Sequence, residues 1–215
     1  MAVTKADVVQ VEITQTMKRE AMEYAKRKLE NTINRRDLED RTKESKLNHL
    51  YIGNLAVLLI NEWLTRNGKW CEVYDRIRTD DFVNPDLGWD LHVLNKQDSI
   101  LEVDVKSSGP SRSTPDLDVV LSRRNLATKP SSIRNNRLVW RGEERDINIQ
   151  VYHLPNDQKH IYLISWALLT DLIVLTPTPR YQRSVGSYSP TNPRPRYNTI
   201  LNSLRDMKSL LPLLK

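Results

Sequence analysis

The segment 46–68 constrains the fold most, because it predicts a long helix that is apolar around most of its circumference. A helix of this kind must be buried on several sides, and packing against a sheet is the simplest way to bury it. Ser45 is suited to cap the start of this helix, and Gly68 is suited to end it.

Three strand-like segments follow the helix, namely WCEVYDRI at 70–77, WDLHVL at 89–94 and SILEVDVKS at 99–107. They are rich in β-branched and aromatic residues, and NKQD at 95–98 predicts a short hairpin connection between the second and the third. A helix followed by three strands predicts an α/β fold, with a mixed central sheet flanked by helices.

The flanking regions are less constrained, and we interpret 1–215 as a single domain. Residues 1–45 predict an N-terminal helical segment, with an amphipathic helix from about Thr16 to Ile33. In 107–215, the segments 147–154 and 160–169 predict strands, and 118–122 predicts a short strand or helix. Loop-rich insertions fill much of the remainder, including the Pro-, Ser- and Arg-rich segment 176–198, and a last helix is predicted from near Asn198 or Thr199.

Charge and cysteine content indicate the environment and the partner. Cys71 is the only cysteine, which excludes a disulfide framework and favours a reducing cytoplasm, with Cys71 itself as a buried inert thiol. No signal peptide is visible at the N-terminus and no apolar run is long enough to span a bilayer, so we expect no membrane partner. The net charge of +6 weakly favours a polyanion.

Arginines in loop-like stretches are the candidates for contact with DNA, although a solvated polar surface is the alternative. The residues singled out are Arg112, Arg123, Arg124, Arg134, Arg137 and Arg183, with Ser107 as a phosphate contact at a strand end or a turn cap.

Charged side chains on the last two predicted strands form the chemical signal of this sequence. Because strand side chains alternate between faces, Glu102, Asp104 and Lys106 share one face of their strand. A tight hairpin at 95–98 would place Asp90 opposite the end of that strand that carries Asp104 and Lys106. Two carboxylates and a lysine would then converge.

This set suits phosphodiester hydrolysis with Mg²⁺. Asp90 and Asp104 can bind the cation through oxygen, and the carbonyl of Val105 can supply a further ligand. The cation activates a water and neutralises charge, while the ammonium of Lys106 can orient the water or stabilise the phosphate.

The spacing of GWDLHV and VDVKS resembles the signature of the PD-(D/E)XK nucleases. In that signature an acidic residue is followed, after a spacer of about this length, by an acidic residue, any residue and a lysine. The resemblance covers about 46–106, which would be the catalytic core, and the order of helix and three strands is similar as well. It implies a restriction-endonuclease-like core, with Asp90, Asp104 and Lys106 as the catalytic residues and Mg²⁺ as the cofactor.

Several assignments around this centre stay open. Asp86, in the literal Pro-Asp pair, is an alternative to Asp90 as a metal ligand. Family members often carry a glutamate on the preceding helix; here that position is Asn54, and Glu62 is an alternative. Glu102 would either support the site or form an exposed salt bridge, and His92 would either face the cleft or be structural.

The sequence therefore predicts a Mg²⁺-dependent endonuclease acting on double-stranded DNA, of the sequence-specific restriction type, whose members usually act as homodimers. A nuclease that recognises DNA structure is one alternative, and a non-catalytic basic DNA-binding protein is another. The sequence has neither a Gly-rich phosphate loop nor a Gly-x-Ser-x-Gly elbow, which argues against an NTPase and an α/β-hydrolase.

Overall fold

A computed structural model describes most of the chain. The described residues are 2–31, 42–83, 88–109, 116–124, 126, 131–134, 137–140, 145–154, 156–168, 170–171, 180–181, 195–196 and 200–215. For 131–134, 137–140, 180–181 and 195–196 the description is limited to the backbone.

The elements alternate between helix and strand in the first half and are mainly strands in the second. The α-helices are α1 (Gln15–Asn31), α2 (Lys43–Arg66), α3 (Tyr74–Ile77) and α4 (Leu117–Arg123). The strands are β1 (Val9–Glu12), β2 (Cys71–Val73), β3 (Leu91–Leu94), β4 (Ile100–Ser108), β5 (Ser131–Arg134), β6 (Arg137–Trp140), β7 (Ile147–Tyr152), β8 (His160–Leu168), β9 (Arg180–Tyr181) and β10 (Pro195–Arg196).

Six strands form the central sheet, in the order β1-β8-β7-β4-β3-β2. All neighbouring strands run antiparallel except β4 and β7, which are parallel and lie next to each other at the centre of the sheet. A parallel pair needs a crossover connection, and α4 lies in the segment that joins these two strands. The mixed sheet with flanking helices confirms the α/β class.

The two faces of the sheet are covered differently. On the face that we call the α2 face, Leu91, Val93, Val103 and Val105 pack into a core that includes eight buried residues of α2. On the opposite face, the α4 face, residues of α4 form a second cluster with strands β7 and β8. Because Val103 and Val105 point to the α2 face, Asp104 and Lys106 point to the α4 face.

Helix α2 matches the prediction of a long buried helix, although it begins earlier than expected. The hydroxyl of Thr42, not of Ser45, caps it, because Thr42 Oγ1 accepts a hydrogen bond from the backbone N–H of Ser45 at 3.2 Å. Gly68 follows the helix with φ of 69°, a left-handed conformation that glycine adopts without strain and that ends helices.

The N-terminal segment is not helical throughout, and the prediction for 1–45 was wrong at 9–12. These residues form β1, which pairs with β8 at one edge of the sheet, and Val11 is buried in the core. The amphipathic helix itself, α1, lies close to its predicted position, with Met17, Ala21 and Ala25 buried; Ile33 is outside the described residues.

The predicted strand at 70–77 ends after three residues. The backbone N–H of Arg78 donates to the carbonyl of Tyr74 at 3.1 Å, so the chain turns into the single helical turn of α3. Asp75 and Arg78, three residues apart, come within 3.7 Å of each other on this turn.

The predicted C-terminal helix was also wrong, because the segment contains two 3-10 helices, Leu201–Ser203 and Met207–Leu213. Between them, Arg205 and Trp166 exchange two backbone hydrogen bonds of 3.0 and 3.1 Å, which a continuous α-helix would not allow. Pro212 lies within the second 3-10 helix and has no N–H for an α-helical hydrogen bond.

Strands β5 and β6 pair with each other in a separate two-stranded sheet, as do β9 and β10. The latter pair lies in 176–198, where no regular structure was expected; most of that segment is outside the described residues. The 118–122 segment, for which strand and helix were both open, is helical in α4. None of the described helices is long and apolar enough to cross a membrane.

Candidate active site

The hairpin of β3 and β4 brings Asp90 opposite Asp104. Leu91 pairs with Val103 across the two strands, so Asp90 and Asp104 are the next residues along the same register. The backbone N–H of Asp90 donates to the carbonyl of Val103 at 2.8 Å. The carboxylate of Asp90 accepts a hydrogen bond from the backbone N–H of Val105 at 2.7 Å. If β3 were longer, this N–H would instead bind a backbone carbonyl of β3.

Lys106 completes the cluster from the next position on the same face of β4. Its ammonium donates to Oδ1 of Asp104 and forms an ion pair with it. The side chain of Asp104 is 12% exposed and that of Lys106 is 35% exposed, so the cluster opens to solvent on the lysine side. The carbonyl of Lys106 accepts from the side-chain amide of the buried Gln150 on β7 at 2.8 Å, which fixes the backbone of β4 at this point.

The electrostatics of this cluster disfavour a second negative charge. Burial, and after it the neighbouring carboxylate of Asp104, raise the pKa of Asp90 from its ordinary value to about 7. The ammonium of Lys106 and the N–H of Val105 act in the opposite direction. Two closely spaced carboxylates of which one resists ionisation form an environment that a divalent cation would stabilise.

The donor set is compatible with Mg²⁺. This cation is commonly held by one or two carboxylates, with waters and phosphate oxygens completing the coordination. Asp90 and Asp104 supply two carboxylates, and the Val105 carbonyl lies on the same edge of β4 as the N–H that binds Asp90. Among the described residues, no three side chains of His, Cys, Asp or Glu converge on one point, so a cation here would depend on those two carboxylates.

Of the residues expected around this centre, Asn54 contacts the ammonium of Lys28, and Glu62 lies farther along α2. Asn54 is buried on α2 and accepts a hydrogen bond from the ammonium of Lys28 at 3.1 Å. Glu62 is eight residues further along α2, about 12 Å along the helix axis, and pairs with Arg66 at 2.6 Å. Asp86 is outside the described residues.

Lys28 and Asp75 belong to this end of the sheet, and sequence reasoning missed both. Lys28 follows Ala25 on the buried stripe of α1, and its ammonium lies 2.7 Å from Oδ2 of Asp75. The exposed fractions of the two side chains are 15% and 10%. The backbone N–H of Tyr74, next to Asp75, donates to the carbonyl of Asp90 at 3.0 Å. A lysine at an inward-facing helical position was the available signal in the sequence.

Glu102 forms a salt bridge, one of the two roles left open for it. Its partner is Arg145, whose side chain is 12% exposed and also donates from Nε to the carbonyl of Gly88 at 3.0 Å. Arg145 therefore connects β4 to the residue two positions before Asp90. Because of these contacts, Arg145 does not present a free charge to solvent.

We predict that Gly88→Ala disrupts the site through this contact. Gly88 has φ of 95°, and a Cβ there would lie 2.5 Å from Nη2 of Arg145. The substitution should lower the free energy of unfolding by about 1–3 kcal/mol, measured by urea denaturation. Gly53→Ala is the matched control, because nothing lies within 4 Å of a Cβ at that helical position, and it should be neutral or stabilising. Equal stability of Gly88→Ala and the wild type would contradict the left-handed conformation and the close approach of Arg145 at this position.

The candidate DNA-binding residues are only partly described. Ser107 points to the α2 face by strand alternation, away from Asp104 and Lys106. Arg123 is exposed in the last turn of α4, and Arg124 follows it as the C-cap residue. Arg134 and Arg137 occupy the turn ends of β5 and β6, with only their backbone described, while Arg112 and Arg183 are outside the described residues.

The other reactive side chains near the sheet have structural surroundings. His92 stacks on Trp89, with ring centroids 3.5 Å apart, which supports the structural role. Burial lowers the pKa of His153 to about 4, so this imidazole is neutral at physiological pH. Cys71 packs against the core, and burial raises the pKa of its thiol to about 12, in agreement with an inert thiol.

Comparison with known proteins adds no further assignment: no protein-family model, no curated protein and no solved structure matches this chain. The case for its function therefore depends on the cluster of Asp90, Asp104 and Lys106 and on the fold that holds it.

Proposed function

We propose that this protein is a Mg²⁺-dependent endonuclease that hydrolyses phosphodiester bonds in double-stranded DNA, with Asp90, Asp104 and Lys106 as its catalytic residues. The observation that carries the proposal is the position of the Asp90 carboxylate opposite Asp104, with the Lys106 ammonium paired to Asp104.

The order of elements around the cluster supports a PD-(D/E)XK nuclease. Helix α2 is followed by β2, β3 and β4, which are consecutive antiparallel neighbours at one side of the sheet. The resemblance noted from the sequence includes the same order of helix and three strands. Asp90 lies just before the second of these strands, and Asp104 and Lys106 lie on the third.

Each residue has a separate chemical task in this proposal. Asp90 and Asp104, with the carbonyl of Val105, would hold Mg²⁺, which when bound activates a water and offsets negative charge on the scissile phosphate. Lys106 is the more exposed member of the cluster, so its ammonium can contact an incoming phosphate oxygen or orient the attacking water. The N–H of Val105 and the side chain of Gln150 keep these groups in place by binding Asp90 and the backbone of Lys106.

The partner and the assembly follow from the same proposal. Double-stranded DNA is the substrate, and the exposed Arg123 and the arginines of 112–141 and 180–196 are the candidate contacts to its phosphates and base edges. Restriction-type specificity implies a homodimer, because two-fold protein symmetry matches a palindromic site.

The experiment incubates the purified protein with supercoiled plasmid and phage DNA, with Mg²⁺, with Ca²⁺ and with EDTA. Discrete fragments in Mg²⁺ alone are the expected result, and the fragment ends would give the recognition site. Ca²⁺ should allow DNA binding without cleavage, because its looser coordination does not poise the water.

Other patterns would redirect the assignment. Cleavage without a fixed pattern, or cleavage of branched DNA in preference to linear duplex, would indicate a nuclease that recognises structure. DNA binding with no cleavage of any substrate in Mg²⁺ would contradict the enzyme and indicate a non-catalytic DNA-binding protein.

A further inference from the structure

Lys28 is an unusual residue for its position in the fold. Met17, Ala21 and Ala25 form the buried stripe of α1, and Lys28 follows at the next inward-facing position. A lysine side chain that is 15% exposed has lost most of its hydration, which is costly unless oxygen atoms replace the lost water.

The oxygen atoms around the Lys28 ammonium come from two other elements. Oδ2 of Asp75, just after β2, lies at 2.7 Å, and Oδ1 of Asn54 on α2 lies at 3.1 Å. Asn54 and Asp75 are themselves largely buried. A carboxylate and an amide carbonyl converging on one positive charge are ligands that a hard divalent cation also takes.

This ammonium is connected to the candidate metal site through Asp75 and acts on it electrostatically. Its positive charge acts on Asp90 and is among the influences that lower the pKa of that carboxyl. Asp75 is coupled to Asp90 through the chain, since the N–H of the preceding Tyr74 binds the Asp90 carbonyl at 3.0 Å. The two carboxylates of the candidate metal site therefore have Lys106 paired to Asp104 on one side and the ion pair of Lys28 and Asp75, next to Tyr74, on the other.

We propose that the ammonium of Lys28 is a built-in second cation of this site, held by Asn54 and Asp75 beside Asp90, so that the site takes one divalent cation and not two. The inference rests on the proposed metal-dependent function. Two-metal phosphodiesterases place a second ion about 3.5–4 Å from the first. In this protein the fixed positive charge of the Lys28 ammonium would provide the electrostatic stabilisation that the second ion provides in those enzymes. Lys28 is thus a positioning residue that acts through Asp90 and not by contact with the substrate.

The test counts Mn²⁺ ions bound to the EDTA-stripped full chain, from the loss of the free-ion signal in electron paramagnetic resonance. The wild type should bind one ion in its tight class. Lys28→Ala combined with Asn54→Asp removes the ammonium and leaves two carboxylates around its former place, that of Asp75 and that of position 54, so the count should rise to two. Lys26→Ala is the matched control, since Lys26 is exposed on the same helix, and it should bind one ion.

A second measurement covers the case in which loss of Lys28 weakens the fold. The melting temperature of Lys28→Ala should fall in EDTA, because Asp75 loses its ion pair with Lys28, and millimolar Mn²⁺ should restore it by a larger increment than it adds to the wild type. A wild-type count of two ions would overturn the inference. A count of one in the double variant, together with no extra rescue of Lys28→Ala by Mn²⁺, would overturn it as well. Both outcomes would leave the proposal of a metal-dependent nuclease intact. A wild-type count of zero would instead remove the metal site itself, and the inference with it.

Discussion

Replacing Asp90 by asparagine should stabilise the protein at pH 8 and abolish its Mg²⁺-dependent cleavage of DNA. Burial and the neighbouring Asp104 raise the pKa of Asp90 to about 7, well above that of the unfolded chain. The folded state therefore holds this proton more tightly, and stability falls as the pH rises from about 4 through 7. Asparagine avoids this penalty and keeps an oxygen that can accept from the N–H of Val105.

The gain at pH 8 should be on the order of 2–4 kcal/mol, and it should vanish below about pH 3, where the carboxyl is protonated in both states. Urea denaturation at both pH values measures it. Cleavage should fall by about 10³-fold or more, because the cation loses one of its ligands. The bound cation stabilises the charge of the transition state by several kcal/mol. A variant that is less stable than the wild type at pH 8, or one that still cleaves, would contradict the environment or the role assigned to Asp90.

Replacing Lys106 by methionine should remove most of the cleavage rate while preserving the binding of Mg²⁺. Methionine keeps the length of the aliphatic chain but not the charge that pairs with Asp104. Without the ammonium, no positive charge competes with the cation for Asp104, so the affinity for Mg²⁺ should be unchanged or higher. The loss of an ammonium that orients water or stabilises the phosphate should lower the single-turnover rate by about 10²–10⁴-fold.

Lys106→Arg and Lys159→Ala are the controls for this prediction. Arginine keeps the positive charge in a bulkier and differently shaped group, so its rate should lie between those of the wild type and Lys106→Met. Lys159 is an exposed lysine in the turn before β8, and its replacement should be silent. If Lys106→Met cleaved within about threefold of the wild type, the lysine would be only a surface charge beside Asp104.

The parts of the fold that sequence predicted well are those specified by local pattern. The apolar circumference of α2, the hairpin between β3 and β4, and the strands β7 and β8 all follow from residues close in sequence. Alternation within β4 also places Asp104 and Lys106 on one face, and the hairpin brings Asp90 to them. This short-range information was sufficient to propose the site.

The missed features depend on contacts between distant residues. β1 is only four residues long and is a strand because β8 offers it an edge. The C-terminal segment leaves the helical path where Arg205 pairs with Trp166. Likewise, the pairs of Lys28 with Asp75 and of Arg145 with Glu102 join residues 47 and 43 positions apart (75 − 28 and 145 − 102), which no local pattern encodes.

The most direct test of the central claim compares Asp104→Asn with Glu62→Gln in single-turnover cleavage of plasmid DNA with Mg²⁺. Both substitutions remove one carboxylate charge, but Asp104 lies in the cluster with Asp90 and Lys106, whereas Glu62 pairs with Arg66 on α2. We expect wild-type cleavage by Glu62→Gln and none by Asp104→Asn, with both variants folded. Cleavage by Asp104→Asn at the wild-type rate would show that the activity does not come from this site.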